Sequence, residues 1–296
     1  MDSCMSKYEA FLKTVQLKNL TRAAEDMGYS QPNLSHLISG LEKDWGISLL
    51  ERSRSGISLT ADGKRLLPYI QDVFSAHEEL LHQVNDINGL QSGLIRIGIF
   101  QSVATQWLPT IISAFRDDYP HIDYELHLGN YSQIEEMMAD GLIDCGFTSL
   151  PLPASQKFDI TPLAKDELFA VIPANHPLAN EDRFPLSAFN DPDYPFMVID
   201  QGRDSEVEML FKEHNVKPHK QIVTWDDVAI MAMVETGLGI SILNELVLKV
   251  CPFNVKILPL DVPAFRSIGL ITKNKKKLPL AVKYFLEYLD LIPQNE

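Results

Sequence analysis

Residues 20–42 read LTRAAEDMGYSQPNLSHLISGLE, and from Gln31 to Gly40 this stretch holds no carboxylate and no Lys or Arg. Leu20, Ala23, Ala24 and Met27 recur at helical spacing behind Asn19, a residue suited to capping a helix N-terminus. The paired alanines allow a second helix to approach closely. Gly28 follows, where a helix end often needs positive φ. Ser30 can cap the next helix, and Pro32 falls in its first turn, where a missing N–H does no harm. Leu34, Leu37, Ile38, Leu41 and Trp45 then form one apolar stripe. Upstream, Tyr8, Phe11, Leu12 and Val15 share a helical face. Short helices joined by a glycine turn predict a helix-turn-helix unit.

The opposite face of the third helix carries Gln31, Asn33, Ser35, His36 and Ser39. Such a face is either plain solvated surface or a surface for DNA. Short donors and acceptors near a helix N-terminus, without carboxylates to repel phosphates, suit base edges in a major groove. The next segment, GISLLERSRSGISLT (46–60), places two short apolar runs around Arg52 and Arg54. It is an ordinary turn or a β-hairpin wing. The two arginines favour a wing whose tip reaches the phosphate backbone.

The charge distribution agrees. Residues 1–65 hold nine basic and eight acidic side chains, a net of +1, whereas the whole chain carries −14. The acidity therefore belongs to the remaining residues. At 296 residues and 45% apolar composition, the chain is long enough for two or three domains with sizeable cores. Cys4, Cys145 and Cys251 are odd in number and far apart, which predicts neither a disulfide framework nor a zinc site. No basic segment followed by an apolar run opens the chain and no run is long enough to span a membrane, so a cytoplasmic protein is expected.

From Thr60 the pattern is helical. Leu66, Ile70, Val73, His77, Leu80, Val84 and Ile87 alternate at spacings of four and three, the repeat of a two-helix seam. Ile70 and Val73 are expected between two such helices. His77 is either a register pin or a solvated neighbour of the seam.

After residue 90, strand-like and helix-like segments alternate: LIRIGIF, LPTIISAFRDDYP, IDYELHL, SQIEEMMADG, IDCGFTSL. The alternation resumes with ELFAVIPA, PFMVID, DSEVEMLFKEHN, QIVTW, DDVAIMAMVETGLG, ISIL, SIGLITK and a closing helix. This predicts an α/β sheet with helices on both faces, in two similar lobes around a cleft. Ligands of such sheets bind beyond the carboxyl ends of strands. Gln101, Ser102, Gly129, Asn130, Thr148 and Ser149 follow strand ends in the first lobe, and Asp200, Gln201 and Trp225 in the second. Each is either a ligand contact or a satisfied loop residue. Ser102, near a helix start, favours a carboxylate or similar anion. Asp200, if turned inward, would pair with an amine and make the ligand zwitterionic, such as an amino acid.

The N-terminal segment resembles the DNA-binding domain of LysR-type transcriptional regulators. Ala23-Ala24, Ser30-Gln31-Pro32, Ser35, Leu41-Glu42, Gly46, Leu49, Glu51-Arg52, Leu59-Thr60 and Gly63 carry the match. His36 and Gly40 stand where that family commonly has basic residues, and Leu50 replaces a frequent Phe. The remainder is similar to the same family's effector-binding domain, built like a periplasmic solute-binding protein. Its marks are Gly93, Arg96-Ile97-Gly98, Leu108-Pro109, Phe115, Tyr119-Pro120, Gly141, Asp144 and VETGLGISIL.

The resemblance implies a winged helix-turn-helix at 1–60, a dimerising linker helix at 61–89 and an effector domain at 90–296. Its first lobe would comprise 90–161 and 266–296, and its second 162–265. It also implies a homodimer or tetramer on an inverted-repeat operator in double-stranded DNA. A small-molecule effector is implied, with RNA polymerase as a further partner. Ser30, Gln31, Pro32, Asn33, Ser35, His36, Arg52 and Arg54 would meet the DNA. No cofactor or metal is implied, and the chain lacks the P-loop, GxSxG and HExxH motifs of common enzymes. The rival reading within the family is an effector-independent or peroxide-sensing regulator. The hundred-odd residues between Cys145 and Cys251 argue against the latter.

Overall fold

The computed structural model describes residues 2–53, 56–87, 93–154, 157–203, 205–275 and 278–293. The chain divides into two compact units, Met1–Val84 and Asn85–Glu296.

In the first unit, helices α1 (Asp2–Leu17), α2 (Leu20–Asp26) and α3 (Gln31–Trp45) precede a hairpin of β1 (Leu50–Ser53) and β2 (Gly56–Leu59). Helix α4 (Ala61–Ile87) follows. The caps are those the sequence requires. Asn19 accepts from the Thr21 and Arg22 N–H groups, Ser30 accepts from Asn33, and Gly46 closes α3 at φ 66°. Ala10, Ala23, Ala24, Leu34 and Ile38 form one buried cluster, and Phe11, Leu41, Leu49 and Ile70 another. Each fully buried Leu, Ile or Phe contributes roughly 1.5–3 kcal/mol. Glu42 accepts from the Leu49 and Leu50 N–H groups, fixing the hairpin to α3. Thr60 caps α4 through the Gly63 N–H. A Cβ at Gly63 would lie 2.1 Å from the Leu49 carbonyl oxygen, so this approach requires glycine.

The seam expected along α4 divides in two. Ile70 is 3% exposed and packs on Phe11, Leu41 and Leu49 of its own unit, with Leu66 beside it. It does not face outward toward a second linker helix. Val73, Leu80 and Val84 remain 45%, 60% and 45% exposed. Alternation by four and three is the same whether a helix faces its own domain or another helix, so spacing alone could not separate the segments.

The second unit opens with β3 (Gly93–Ile99), α5 (Gln101–Gln106), α6 (Leu108–Asp118), β4 (Ile122–Leu128), α7 (Tyr131–Ala139) and β5 (Cys145–Leu150). Strand β6 (Asp159–Pro173) leads to β7 (Phe196–Ile199), α8 (Glu206–Glu213), β8 (Lys220–Thr224), α9 (Asp227–Glu235), β9 (Ser241–Asn244), α10 (Glu245–Leu248) and β10 (Val255–Pro259). Then β11 (Phe265–Thr272) returns, and α11 (Leu280–Glu287) runs into a closing 3-10 turn, Tyr288–Leu291.

The strand order is β10-β6-β11-β5-β3-β4, with β9 also pairing β6 and β7 pairing β8. Parallel pairing of β3 with β4 and β5 follows from the intervening helices. Strand β6 serves both lobes. Asp159 to Glu167 pairs with β11, and Leu168 to Pro173 pairs with β9 and β10. The chain therefore leaves the first sheet some residues after Pro162. A register shift accompanies the pairing of Pro162 with Gly269, where proline offers no N–H. At Gly239 a Cβ would lie 2.2 Å from the Pro195 carbonyl oxygen, which explains the glycine between Leu238 and Ile240. Ile97, Phe115, Phe147 and Phe285 centre the first lobe's core, and Ile172, Phe184, Phe189 and Phe196 the second's.

Candidate functional site

Helix α3 presents the expected polar face. Leu34, Ile38 and Leu41 are buried, while Gln31, Pro32, Asn33 and His36 are exposed and Ser35 is half-buried. The first turn carries no acidic residue, and the exposed Ser30 holds the Asn33 N–H at 3.4 Å. Arg52 lies in β1 opposite Ile57. Its side chain, and the whole of Arg54, fall outside the described residues.

The second unit contains a cavity of about 440 Å³ between the strand ends of its two lobes. That is within the usual range for small-molecule sites, roughly 300–1,000 Å³. Seven of the nine expected residues line it: Gln101, Ser102, Gly129 and Asn130 from the first lobe, and Asp200, Gln201 and Trp225 from the second. Phe100, Leu128, Gln133, Ile199, Asp227, Asn244, Val247 and Arg266 complete the lining.

Thr148 and Ser149 are not among the lining residues. Thr148 donates to Glu135 at 3.1 Å, and Ser149 donates to Glu206. Their hydroxyls hold a polar cluster in which Arg203 joins the Glu135 carboxylate at 3.2 Å and the Ser149 carbonyl at 2.6 Å. Arg203 follows the second lobe's β7, whereas Glu135 and Ser149 lie in α7 and β5 of the first. The cluster thus ties the lobes together. Burial pushes the Glu135 carboxyl above its ordinary range, with Arg203 and Thr148 opposing.

Arg266, which the sequence reading missed, organises the cavity wall. It is 2% exposed, and its guanidinium donates to Asp166 at 2.8 Å, Tyr131 at 3.0 Å and Ser102 at 2.7 Å. It also lies 4.7 Å from the centre of the Phe100 ring. Burial alone would lower its pKa, but Tyr131 and Asp166 outweigh that and hold it above its ordinary value. Burial pushes the Tyr131 phenol up to about 12, against the pull of Arg266. Ser102 is therefore placed as expected, but its oxygen already accepts from a protein cation.

Asp227 was also missed. It opens α9 beside Asp226, whose carboxylate caps the helix through Val228 and Ala229. Burial pushes Asp227 up to about 6; Arg266 opposes this and Asp226 adds to it. The available signal for Arg266 was a lone arginine within the otherwise uncharged strand FRSIGLIT. For Asp227 it was the doubled aspartate after Trp225, only one of which can cap.

Cys145 is buried in the first lobe's core, and burial raises its thiol pKa. Cys251 packs against a separate cluster in the second lobe. Among the described residues, no helix is long and apolar enough to cross a membrane, and no group of His, Cys, Asp and Glu could hold a metal ion.

A winged helix-turn-helix followed by a two-lobed α/β unit with an interlobe cavity defines a class of bacterial regulators. The family model described as "LysR substrate binding domain" matches residues 88–291, and that described as "Bacterial regulatory helix-turn-helix protein, lysR family" matches 5–64. The chain belongs to the LysR family of transcriptional regulators. It is 30% identical to the probable HTH-type transcriptional regulator LrrA of Synechococcus elongatus, over 98% of this chain and 97% of that protein. Full-length CbnR, in a crystal structure complexed with target DNA, superposes with a TM-score of 0.67 at 23% identity, over 98% of this chain and 99% of that one. The regulatory domain of Synechocystis CcmR, in complex with 2-PG, gives a TM-score of 0.62 at 25% identity, over 68% of this chain and 97% of that domain.

Proposed function

We propose that this protein is an effector-responsive regulator that binds double-stranded DNA as a homodimer or tetramer. Helix α3 enters the major groove, with Gln31 and Ser35 at base edges and Ser30 and Arg52 at the backbone. Pro32, Asn33, His36 and Arg54 complete that surface. Residues 61–89 link the DNA-binding domain at 1–60 to the effector domain at 90–296. RNA polymerase is the downstream partner, the protein acts in the cytoplasm, and it catalyses no reaction. The observation that carries effector control is the interlobe cavity walled by a buried arginine. Such a cavity exposes polar groups that a small polar molecule would satisfy, and filling it changes how the lobes fit together. The CbnR–DNA and CcmR–2-PG complexes support the two halves of this reading by likeness of fold.

The test is selection of bound sequences from random duplex DNA with the full-length protein, then titration of the selected site with small metabolites. An inverted repeat and a metabolite-dependent change in affinity or footprint are expected. Failure to enrich any sequence would overturn DNA reading. Unchanged DNA binding and footprint across the metabolite set would overturn effector control.

A further inference from the structure

The charges around the cavity do not suit a simple anion. Arg266 is the lining cation, and the Asp166 carboxylate lies 2.6 Å from it. Its nitrogens already donate to Asp166, Tyr131 and Ser102. The pair is locally neutral, and a ligand carboxylate cannot take the guanidinium as a bidentate fork without displacing Asp166 or Ser102. Two carboxylates also line the cavity. Asp200 accepts from the Gly202 N–H. Asp227 has no hydrogen-bond or ion-pair partner among the described residues, because its neighbour Asp226 does the capping. A small monoanion would meet two negative groups and one neutralised cation.

The same walls are rich in uncommitted amide donors. Asn130 uses its carbonyl oxygen to accept from the Gln133 N–H, and Gln133 uses its own to accept from the Asn130 N–H. Both amide NH2 groups are left over. The Asn244 Nδ2 atom is buried and has no partner among the described residues. A buried donor on Asn244 and a half-buried carboxylate on Asp227, both left without partners among the described residues, are met by a ligand carrying the complementary groups.

We infer that the molecule held in this cavity is a zwitterion of the α-amino acid class, with its ammonium group against Asp227 and its carboxylate among the amide donors of Asn130, Gln133 and Asn244. The inference rests on the cavity being the effector site. Phe100, Ile199 and Val247 supply apolar wall for the rest of the ligand. Asp227 is the counter-ion that selects for the amine, and Arg266 positions the wall rather than holding the ligand's charge.

The experiment uses the full-length protein at pH 7.5, followed by thermal shift and calorimetry. The probes are the twenty proteinogenic amino acids and, for each chiral one, the matched 2-hydroxy acid lacking the amine. At least one amino acid is expected to bind, with its hydroxy acid weaker by about 10- to 100-fold, the worth of a charge-assisted hydrogen bond. Asp227→Asn should abolish that preference. Its ligand-free melting temperature should equal or exceed that of the parent, because an unpaired desolvated carboxylate has gone. A merely structural Asp227 would instead lower the melting temperature when replaced. Equal affinity for amino acid and hydroxy acid, or undiminished amino acid binding by Asp227→Asn, would overturn the inference. Hydroxy acids binding where no amino acid does would overturn it and leave the cavity standing as an effector site. No binding by either set would overturn it as well; whether the effector reading survives is then decided by the metabolite titration on DNA.

Discussion

The Arg266 guanidinium and the Asp166 carboxylate meet at 2.6 Å with side chains 2% and 1% exposed. Asp166 uses its other oxygen to hold the Leu246 N–H at the start of α10. Arg266 reaches Ser102 in α5 and Tyr131 in α7. One ion pair therefore joins β6 and β11 to helices of the cavity wall. Removing one partner strands the other charge in low dielectric, which destabilises by about 3–5 kcal/mol. Arg266→Met is expected to lose that much in urea unfolding of the effector unit. A loss below about 1 kcal/mol would mean that the pair is no better than an apolar contact.

Asp227 gives the ligand-free protein a pH signature. Its folded pKa, about 6, lies above the ordinary aspartate value. The folded state therefore binds more protons than the unfolded one between those values, and stability falls as pH rises through about 6. The groups acting on it are Asp226 and Arg266, with Asp200 also on the cavity wall. Melting curves of the parent and Asp227→Asn should lie closest below about pH 4, separate as pH rises to about 6 and stay apart at pH 7.5, the variant being the more stable. Parallel profiles across this range would rule the assignment out.

The DNA face separates reading from holding. Gln31→Ala should weaken the selected operator by about 1–3 kcal/mol and random DNA little. Arg52→Ala should weaken both and lower the salt slope by about one counterion. Fluorescence anisotropy on the two duplexes at several salt concentrations distinguishes them, and equal losses for Gln31→Ala would exclude base reading.

Helix α4 makes a contrast between Ile70 and Leu80. Ile70→Asp buries a charge in the DNA-binding unit and should unfold it, abolishing binding to any DNA. Leu80→Asp should leave that unit folded and weaken self-association instead. Melting of the N-terminal unit and sedimentation velocity score the pair. Dissociation of a fully folded protein by Ile70→Asp would contradict the packing described.

Most of the N-terminal fold was legible because caps and turns are local. Asn19, Gly28 and Ser30 each act on neighbours a few residues away. The strand-end rule found Ser102, Asn130 and Asp200 for the same reason: each follows an apolar run. It failed for Thr148 and Ser149, since position after a strand does not say whether Glu135 or Glu206 will occupy the hydroxyl. Arg266 escaped because its partners Asp166, Tyr131 and Ser102 are 100 to 164 residues away. The first half of β6 escaped as well. Its residues Ile160 to Glu167 mix Pro, Lys and Asp into a strand whose regularity comes from pairing with β11.

Strand β6 places the two lobes on a single uninterrupted length of backbone, with ladder hydrogen bonds to β11 along one half and to β9 and β10 along the other. Rotation of one lobe against the other cannot pull these halves apart without breaking a ladder. It must wind the strand about its own axis, as a torsion bar winds between two clamps. Twist is the soft coordinate of a β-strand, and its right-handed bias gives the winding a preferred sense. The β6 connection therefore favours small angular adjustments that spring back over the wide swing of a door.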